Sequence, residues 1–474
     1  VTRRGFLKQG ALAAGAAAVV GLARGPILLG AESPNEKLGM VVIGCGGRGM
    51  SSHMPVAGRE RLLAIVDVDE NQWGKSMKFL EDKFKDIEIP KVKTYFDYRR
   101  MFDEIGKEID AVLVATPNHH HALPAMIAMQ LGKGVYVEKP LCHTVAEARA
   151  LAATAARTKV PTQMGNQGHC GEGYMRLCEY IWAGAIGQVT EVHSWSDRAN
   201  GGSKPRPAAK PVPQGMHWDE WIGPSPYRDF HDDLHPHEWH NWWDFGNGSI
   251  GNMACHVMDG ACWALKLGHP VSIEAELLGG GTEEYAPTTT RLCYAFPARE
   301  GLAPVKLYWY DGKRPGSKGA AEIRGKVLPV DTTDGQNRPP LVYQLEKETG
   351  RKLGGNGTLY VGEKGVMYTG CYGEGTRILP EEKHQAFPPP EKTLPRVSGG
   401  SFGDFVAACR KGTPTTAASF EYGSRLTELV LLGNLAQRVG VGKKVMWDGP
   451  GAKCTNIPGV NAWIDIKPRK GWTA

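Results

Sequence analysis

Short apolar runs alternate with polar, helix-length segments from residue 37 onward. Met40-Val41-Val42-Ile43, Leu62-Leu63-Ala64-Ile65-Val66, Ala111-Val112-Leu113-Val114 and Val135-Tyr136-Val137 are too uniformly apolar for strands with one wet face, so they predict strands buried on both sides. Between them, residues 70–85 carry Trp73, Met77 and Leu80 at helical spacing. A short strand is predicted at 92–95 and helices at 98–105 and 119–130, with Gly132 as the stop. Thr144 with Glu147 three residues on forms a capping box that opens another helix, and 160–164 closes the series as a strand. Such alternation predicts a doubly wound parallel sheet over residues 37–166.

From residue 187 the periodicity changes. Segments 189–196, 271–278, 289–296, 305–311, 358–361 and 365–369 frequently alternate apolar with polar positions, which predicts a mixed or antiparallel sheet with one face covered. Gly/Pro-rich stretches at 200–215, 312–340 and 379–395 read as surface excursions or interface arms, and a helical tail is predicted at 402–409 and 422–439. The predicted class is α/β: a doubly wound N-terminal domain at 37–166, then an α+β domain with a large mixed sheet at 167–474. Residues 1–36 are set apart as signal and linker.

A length of 474 residues suits two or three cores. The net charge of +6 is modest and its basic residues are scattered, so nucleic acid is not an expected partner. Many of the 13 tryptophans fall between Trp195 and Trp263, where indoles either stack on sugar faces or fill a core. The ten cysteines show no disulfide framework and no Cys-x-x-Cys, as in a protein folded under reducing conditions. Thr2-Arg3-Arg4-Gly5-Phe6-Leu7-Lys8, followed by an Ala-rich apolar segment at 11–23, reads as a twin-arginine export signal. It predicts a protein carried already folded by the twin-arginine machinery to a periplasmic or other extracytoplasmic location.

The first strand runs into Gly44-Cys45-Gly46-Gly47-Arg48-Gly49. In a Gly-x-Gly-x-x-Gly turn the first glycine makes the bend, the second admits a pyrophosphate and the third lets helix and strand pack. The phosphates would lie on free N–H groups at the helix start. Asp67 ends the second strand eighteen residues past Gly49, placed to accept from ribose hydroxyls and to repel a 2′-phosphate. The expected cofactor is therefore NAD rather than NADP. Thr116-Pro117-Asn118 should face it from the next strand end.

These motifs, with His121 and with Glu138-Lys139-Pro140-Leu141 closing the strand after, are spaced as in one family. The chain resembles the Gfo/Idh/MocA oxidoreductases, over nearly everything after residue 36. The resemblance implies a Rossmann domain, then a mixed-sheet domain that binds substrate and often oligomerises. It places Lys139 at the nicotinamide ribose and the reacting hydroxyl. It makes His256 the base, with Asn252 standing where the family carries an acid; Asp259 is a candidate to orient His256. The segment from His231 to Asp244 fits no zinc motif, and Pro236 breaks any helix there, so no metal is expected. It reads as the wall of a sugar-sized pocket: Trp242 or Trp243 stacking, His237 or His240 bonding hydroxyls, and His193 with Trp195 joining from the strand before. Three functions remain open: a sugar or glycoside dehydrogenase, a redox-neutral glycosidase with retained NAD, and a non-catalytic sugar-binding module.

Overall fold

A computed structural model describes residues 37–473 except 85–90, 314–317, 324–325 and 332–334. The twin-arginine segment lies outside the described residues. Six parallel strands form the first sheet: β1 (Gly39–Ile43), β2 (Arg61–Val66), β3 (Lys93–Tyr95), β4 (Ala111–Val114), β5 (Gly134–Glu138) and β6 (Thr162–Gly165), in the order β3-β2-β1-β4-β5-β6. Alternate residues explain the unbroken apolar runs. Val41, Ile43, Val112 and Val114 face one core, with Met101, Ala125 and Leu151 of three helices. Met40, Val42, Ala111 and Leu113 face another, with Leu80 of the helix Glu70–Lys83. The winding reverses between β1 and β4, paired from Met40↔Ala111 to Ile43↔Val114, which opens a crevice at their carboxyl ends. The capping box is formed as expected: Thr144 Oγ1 accepts from Glu147 N–H, and Glu147 accepts from Thr144 N–H.

The second sheet has nine strands. β7 (Val189–Ser196), β8 (Ser272–Gly279), β9 (Thr289–Phe296) and β10 (Val305–Gly312) form its middle. After the hairpin β11 (Lys318–Ile323) and β12 (Lys326–Asp331) come β13 (Gly357–Gly362), β14 (Gly365–Gly370), β15 (Arg377–Leu379), β16 (Lys444–Asp448) and β17 (Lys453–Cys454). Their order is β15-β14-β13-β7-β10-β9-β8-β16-β17, antiparallel except for β7 beside β10. One face packs Val192, Leu292, Leu307 and Trp309 against the helices Gly248–Val257 and Phe420–Val439. The other packs Trp195, Tyr310 and Leu359 under Leu341, Val342 and Leu345 of the helix Pro340–Thr349. The helix Gly400–Lys411 returns to the first sheet through Phe405 and Cys409. All ten cysteines are unpaired. No described helix is long and apolar enough to cross a membrane.

Candidate active site

A cleft of about 620 Å³ runs from the carboxyl ends of the first sheet to the helix Gly248–Val257. Its floor is the glycine turn. Gly44 has φ +82°, and a Cβ there would lie 2.7 Å from Ala115 O, so β1 and the β4 turn meet only around a glycine. A Cβ on Gly49 would stand 1.8 Å from Gly44 O, the tight packing that the third glycine permits. Gly47, at φ +43°, has nothing within 4 Å of where its Cβ would be. The turn runs into the short helical segment Gly49–His53, whose first N–H groups lack intrahelical acceptors, as an anion there would require. Asp67 lines the same cleft. Its Oδ2 accepts from the N–H of Cys45 (3.0 Å) and Gly46 (3.2 Å) and its Oδ1 from Asp69 N–H. Carboxylate oxygens have further lone pairs, so Asp67 pins the turn and still presents an acceptor. These features fit a dinucleotide with an unphosphorylated 2′-hydroxyl.

Gly46, Arg48, Thr116, Pro117, Asn118, His121 and Glu138 also line the cleft. His121 spans the two strand ends, Nε2 at 2.7 Å from Thr116 O and Nδ1 at 2.8 Å from Pro140 O. Burial raises the Glu138 carboxyl, but His53 at 3.0 Å, with the charges of Arg48 and Lys139, outweighs it and brings the group to about 2. Glu138 is thus a fixed anion beneath the turn.

Lys139, Asn252 and His256 converge on the inner wall. Lys139 Nζ donates to the Asn252 backbone oxygen and to its Oδ1 at 3.2 Å. Asn252 Nδ2 in turn donates to Asn200 Oδ1 at 2.9 Å. The carboxamide therefore orients the ammonium without neutralising it, and burial lowers the Lys139 pKa. His256 Nδ1 lies 3.0 Å from Asn166 Oδ1. Donation there fixes the tautomer with the Nε2 lone pair toward the cleft. Burial, then the Lys139 charge, hold His256 well below its ordinary pKa, so its ring is neutral with an Nε2 lone pair. Tyr372 stands edge-on to it, ring centres 4.8 Å apart.

Several expected residues lie elsewhere. Asp259 does not orient His256: the helix ends at Val257 and a new one starts at Asp259, which is fully buried and bonds His169 Nδ1 and Tyr422 OH. His193 and Trp195 project from the face of β7 away from the cleft, because Val192 and Ser194 point to the helices. His193 bonds Tyr310 OH, and Trp195 Nε1 donates to Gly354 O. Trp242 and Trp243 are buried, their indole N–H groups satisfied by Asp233 O and Thr282 O; they build the excursion rather than stack on a ligand. His237 and His240 do line the cleft. Residues not singled out from sequence include Asn166, Gln167, Arg198, Trp221, Trp239, His235 and Tyr372. Asn166 and Gln167 follow β6, a strand end facing the crevice, and that was the available signal. Among the described residues no three His, Cys, Asp or Glu side chains converge as a metal site.

The fold and this cleft define a nucleotide-binding α/β protein with a lysine and a neutral histidine at the inner end. Residues 38–166 match the oxidoreductase family model described as an NAD-binding Rossmann fold, and residues 185–291 match that family's C-terminal alpha/beta domain. The chain belongs to the Gfo/Idh/MocA oxidoreductase family. It is 26% identical over 172 residues to a glycosyl hydrolase family 109 protein of Shewanella pealeana, covering 35% of this chain and 37% of that one. It is 33% identical over 102 residues to an inositol 2-dehydrogenase of Salmonella typhimurium, covering 21% and 30%. The matched region thus spans about a third of the length of these curated relatives. Among solved structures, a Bordetella pertussis dehydrogenase, WlbA, in complex with NADH and UDP-GlcNAcA shares the fold with a TM-score of 0.54 at 14% identity, covering 87% of this chain and 99% of that one.

Proposed function

We propose that the protein is an NAD-dependent oxidoreductase acting on a secondary hydroxyl of a sugar or glycoside. The observation that carries this is the meeting of Lys139 Nζ and the open Nε2 of His256 in one cleft with the glycine turn and Asp67. When bound, NAD supplies a hydride acceptor. The chain's own residues do the rest. Gly47 and the first helical N–H groups would hold the phosphates, with Gly46 leaving room for them, and Asp67 would accept from the adenosine ribose. Lys139, steadied by Asn252, donates to the reacting oxygen. His256 Nε2 accepts the hydroxyl proton while Nδ1–H stays on Asn166, so the charge of the imidazolium is shared with a fixed amide dipole. The Asn252 carboxamide cannot take up a proton, which leaves His256 as the base. The test is nicotinamide reduction with a panel of free sugars and polyols. No reduction with any of them, in protein shown to bind NAD, overturns the reading.

A second reading has its own support. His237 and His240 line the cleft beyond the reacting pair, and burial then the Lys139 charge keep His240 well below its usual pKa. A neutral base there suits removal of a proton from the carbon beside an oxidised one, the step a redox-neutral glycosidase needs. Similarity to the glycosyl hydrolase family 109 protein favours it. Release of the leaving group from aryl glycosides without added NAD supports this reading; strict dependence on added NAD excludes it. We propose further that the Arg3-Arg4 segment exports the folded, loaded protein, and that the half-exposed sheet face bearing Arg291 and Tyr308 supports self-association.

A further inference from the structure

The inner end of the cleft has an uneven charge. Among the described residues lining it, the carboxylate there is Glu138, already held by His53 Nε2 at 3.0 Å and Arg48 Nε at 3.3 Å. The other acids of the cleft sit apart: Asp67 on the glycine turn, Asp97 on Arg99 after β3, and Glu220 beside Trp221. Arg198, in the segment that leaves β7, lines the same cleft as Lys139 and His256. Two residues on, Asn200 bonds the same Asn252 that holds Lys139, which brings this segment to the reacting end. Arg198 is exposed to the cleft, and among the described residues its guanidinium makes no ion pair. Arg48 and Lys139 are the cations beside Glu138, Arg198 lines the cleft without an acid of its own, and Asn252 contributes no charge. A neutral sugar would leave the Arg198 guanidinium without a counter-charge.

We propose that Arg198 is an anion-binding residue for the substrate and that the substrate is an acidic sugar, its negative group a carboxylate or a phosphate. This rests on the sugar oxidoreductase reading and narrows it. A guanidinium fork matches either anion in two parallel N–H···O bonds, a geometry an ammonium does not offer. With the anion on Arg198 and a hydroxyl between Lys139 and His256 Nε2, a single sugar ring is held at two points, and Tyr372 offers an aromatic wall beside it. The orientation of the ring toward the cofactor then follows from where its charge lies.

The test is calorimetric titration of the NAD-loaded protein with D-glucose, D-glucuronate and D-glucose 6-phosphate, and with D-galactose and D-galacturonate. At least one anionic member should bind about tenfold or more tightly than its neutral counterpart, as expected for a charge-assisted bond. Glucuronate against glucose 6-phosphate tells which anion is taken. Arg198→Gln should remove most of that preference and Arg198→Lys restore part of it. Equal affinity for neutral and anionic members, no binding of any anion, or a preference that survives Arg198→Gln each overturns the proposal. Tight, Arg198-dependent binding without nicotinamide reduction leaves the anion site standing and removes the dehydrogenase reading instead.

Discussion

Two residues on the helix Gly248–Val257 reach the inner wall one turn apart, and each depends on a partner far away in sequence. Asn252 steadies a lysine 113 positions earlier, and His256 leans on Asn166, 90 positions earlier. Removing the base itself, His256→Ala, should cost about 10²–10⁴-fold in turnover. Asn166→Ala should lower kcat by up to about 10²-fold with a smaller change in KM, because it frees the ring to turn and take the other tautomer. An unchanged kcat in that variant dismisses the positioning role. Asn252→Asp places a carboxylate against Lys139, so the lysine pKa rises and the alkaline limb of the pH–rate profile should move up by about 1 unit or more. Lys139 and His256 were legible in the sequence because each sits in a local motif. Asn166 was not, since its role exists only once β6 and the second-domain helix meet. Asp259 misled for the opposite reason: its three-residue spacing from His256 assumed a continuous helix, which the chain breaks at Met258.

At the scale of elements, β7 and β9 occupy the residues that alternation predicts, and the buried runs of the first sheet were plain because both faces are dry. β15 and β17 escaped notice, being 3 and 2 residues long with too few positions to show a period. The glycine turn allows a sharper test. A methyl on Gly49 would collide with Gly44 O, and relief requires the turn to move off the strand end. Gly49→Ala should therefore cost about 1–3 kcal/mol in unfolding free energy and abolish NAD binding. The turn Asn118–His120 makes a second one. His119 and His120 both place Nε2 on Trp221 O, at 2.9 and 3.0 Å, tying the first domain to the second. Burial lowers both, His120 to about 4. Histidines depressed in the native state bind protons more readily once unfolded, so stability is present above the unfolded value of about 6.5 and is lost as pH falls toward the folded value. Glu147 and Asp311, each raised by burial to about 7, act with the opposite sign but are outnumbered by His119, His120, His121, His143, His193, His240 and His256. The urea midpoint should fall steadily below about pH 6.5, and a flat profile down to about pH 4 contradicts the neutral-histidine account.

Across the whole molecule, the second domain does more than supply one wall. Its excursion crosses back over the carboxyl end of β2, where the adenosine half of a dinucleotide would lie. Glu70 N–H donates to Gly215 O and His217 N–H to Val68 O, the His217 ring stacks on Phe96 at 3.8 Å, and His235 Nε2 meets Asp69 Oδ2 at 3.2 Å. Trp472 lines the same cleft with the Arg99 guanidinium 3.7 Å from its ring, and Arg469 secures it to Gly223 O and Asp219. A nucleotide seated on the glycine turn would leave only after these contacts open, so release should be slow compared with turnover. Slow release is also what the export proposed above would require of a retained cofactor. NAD should remain with the protein through gel filtration and appear in the supernatant on denaturation. His235→Ala and Arg469→Ala each remove a charge-assisted bond from the cover and should speed NAD release about tenfold, measured by displacement with excess NADH. Release from the unaltered protein as fast as from both variants means the cover does not hold the nucleotide, and retained-cofactor chemistry then loses its structural support.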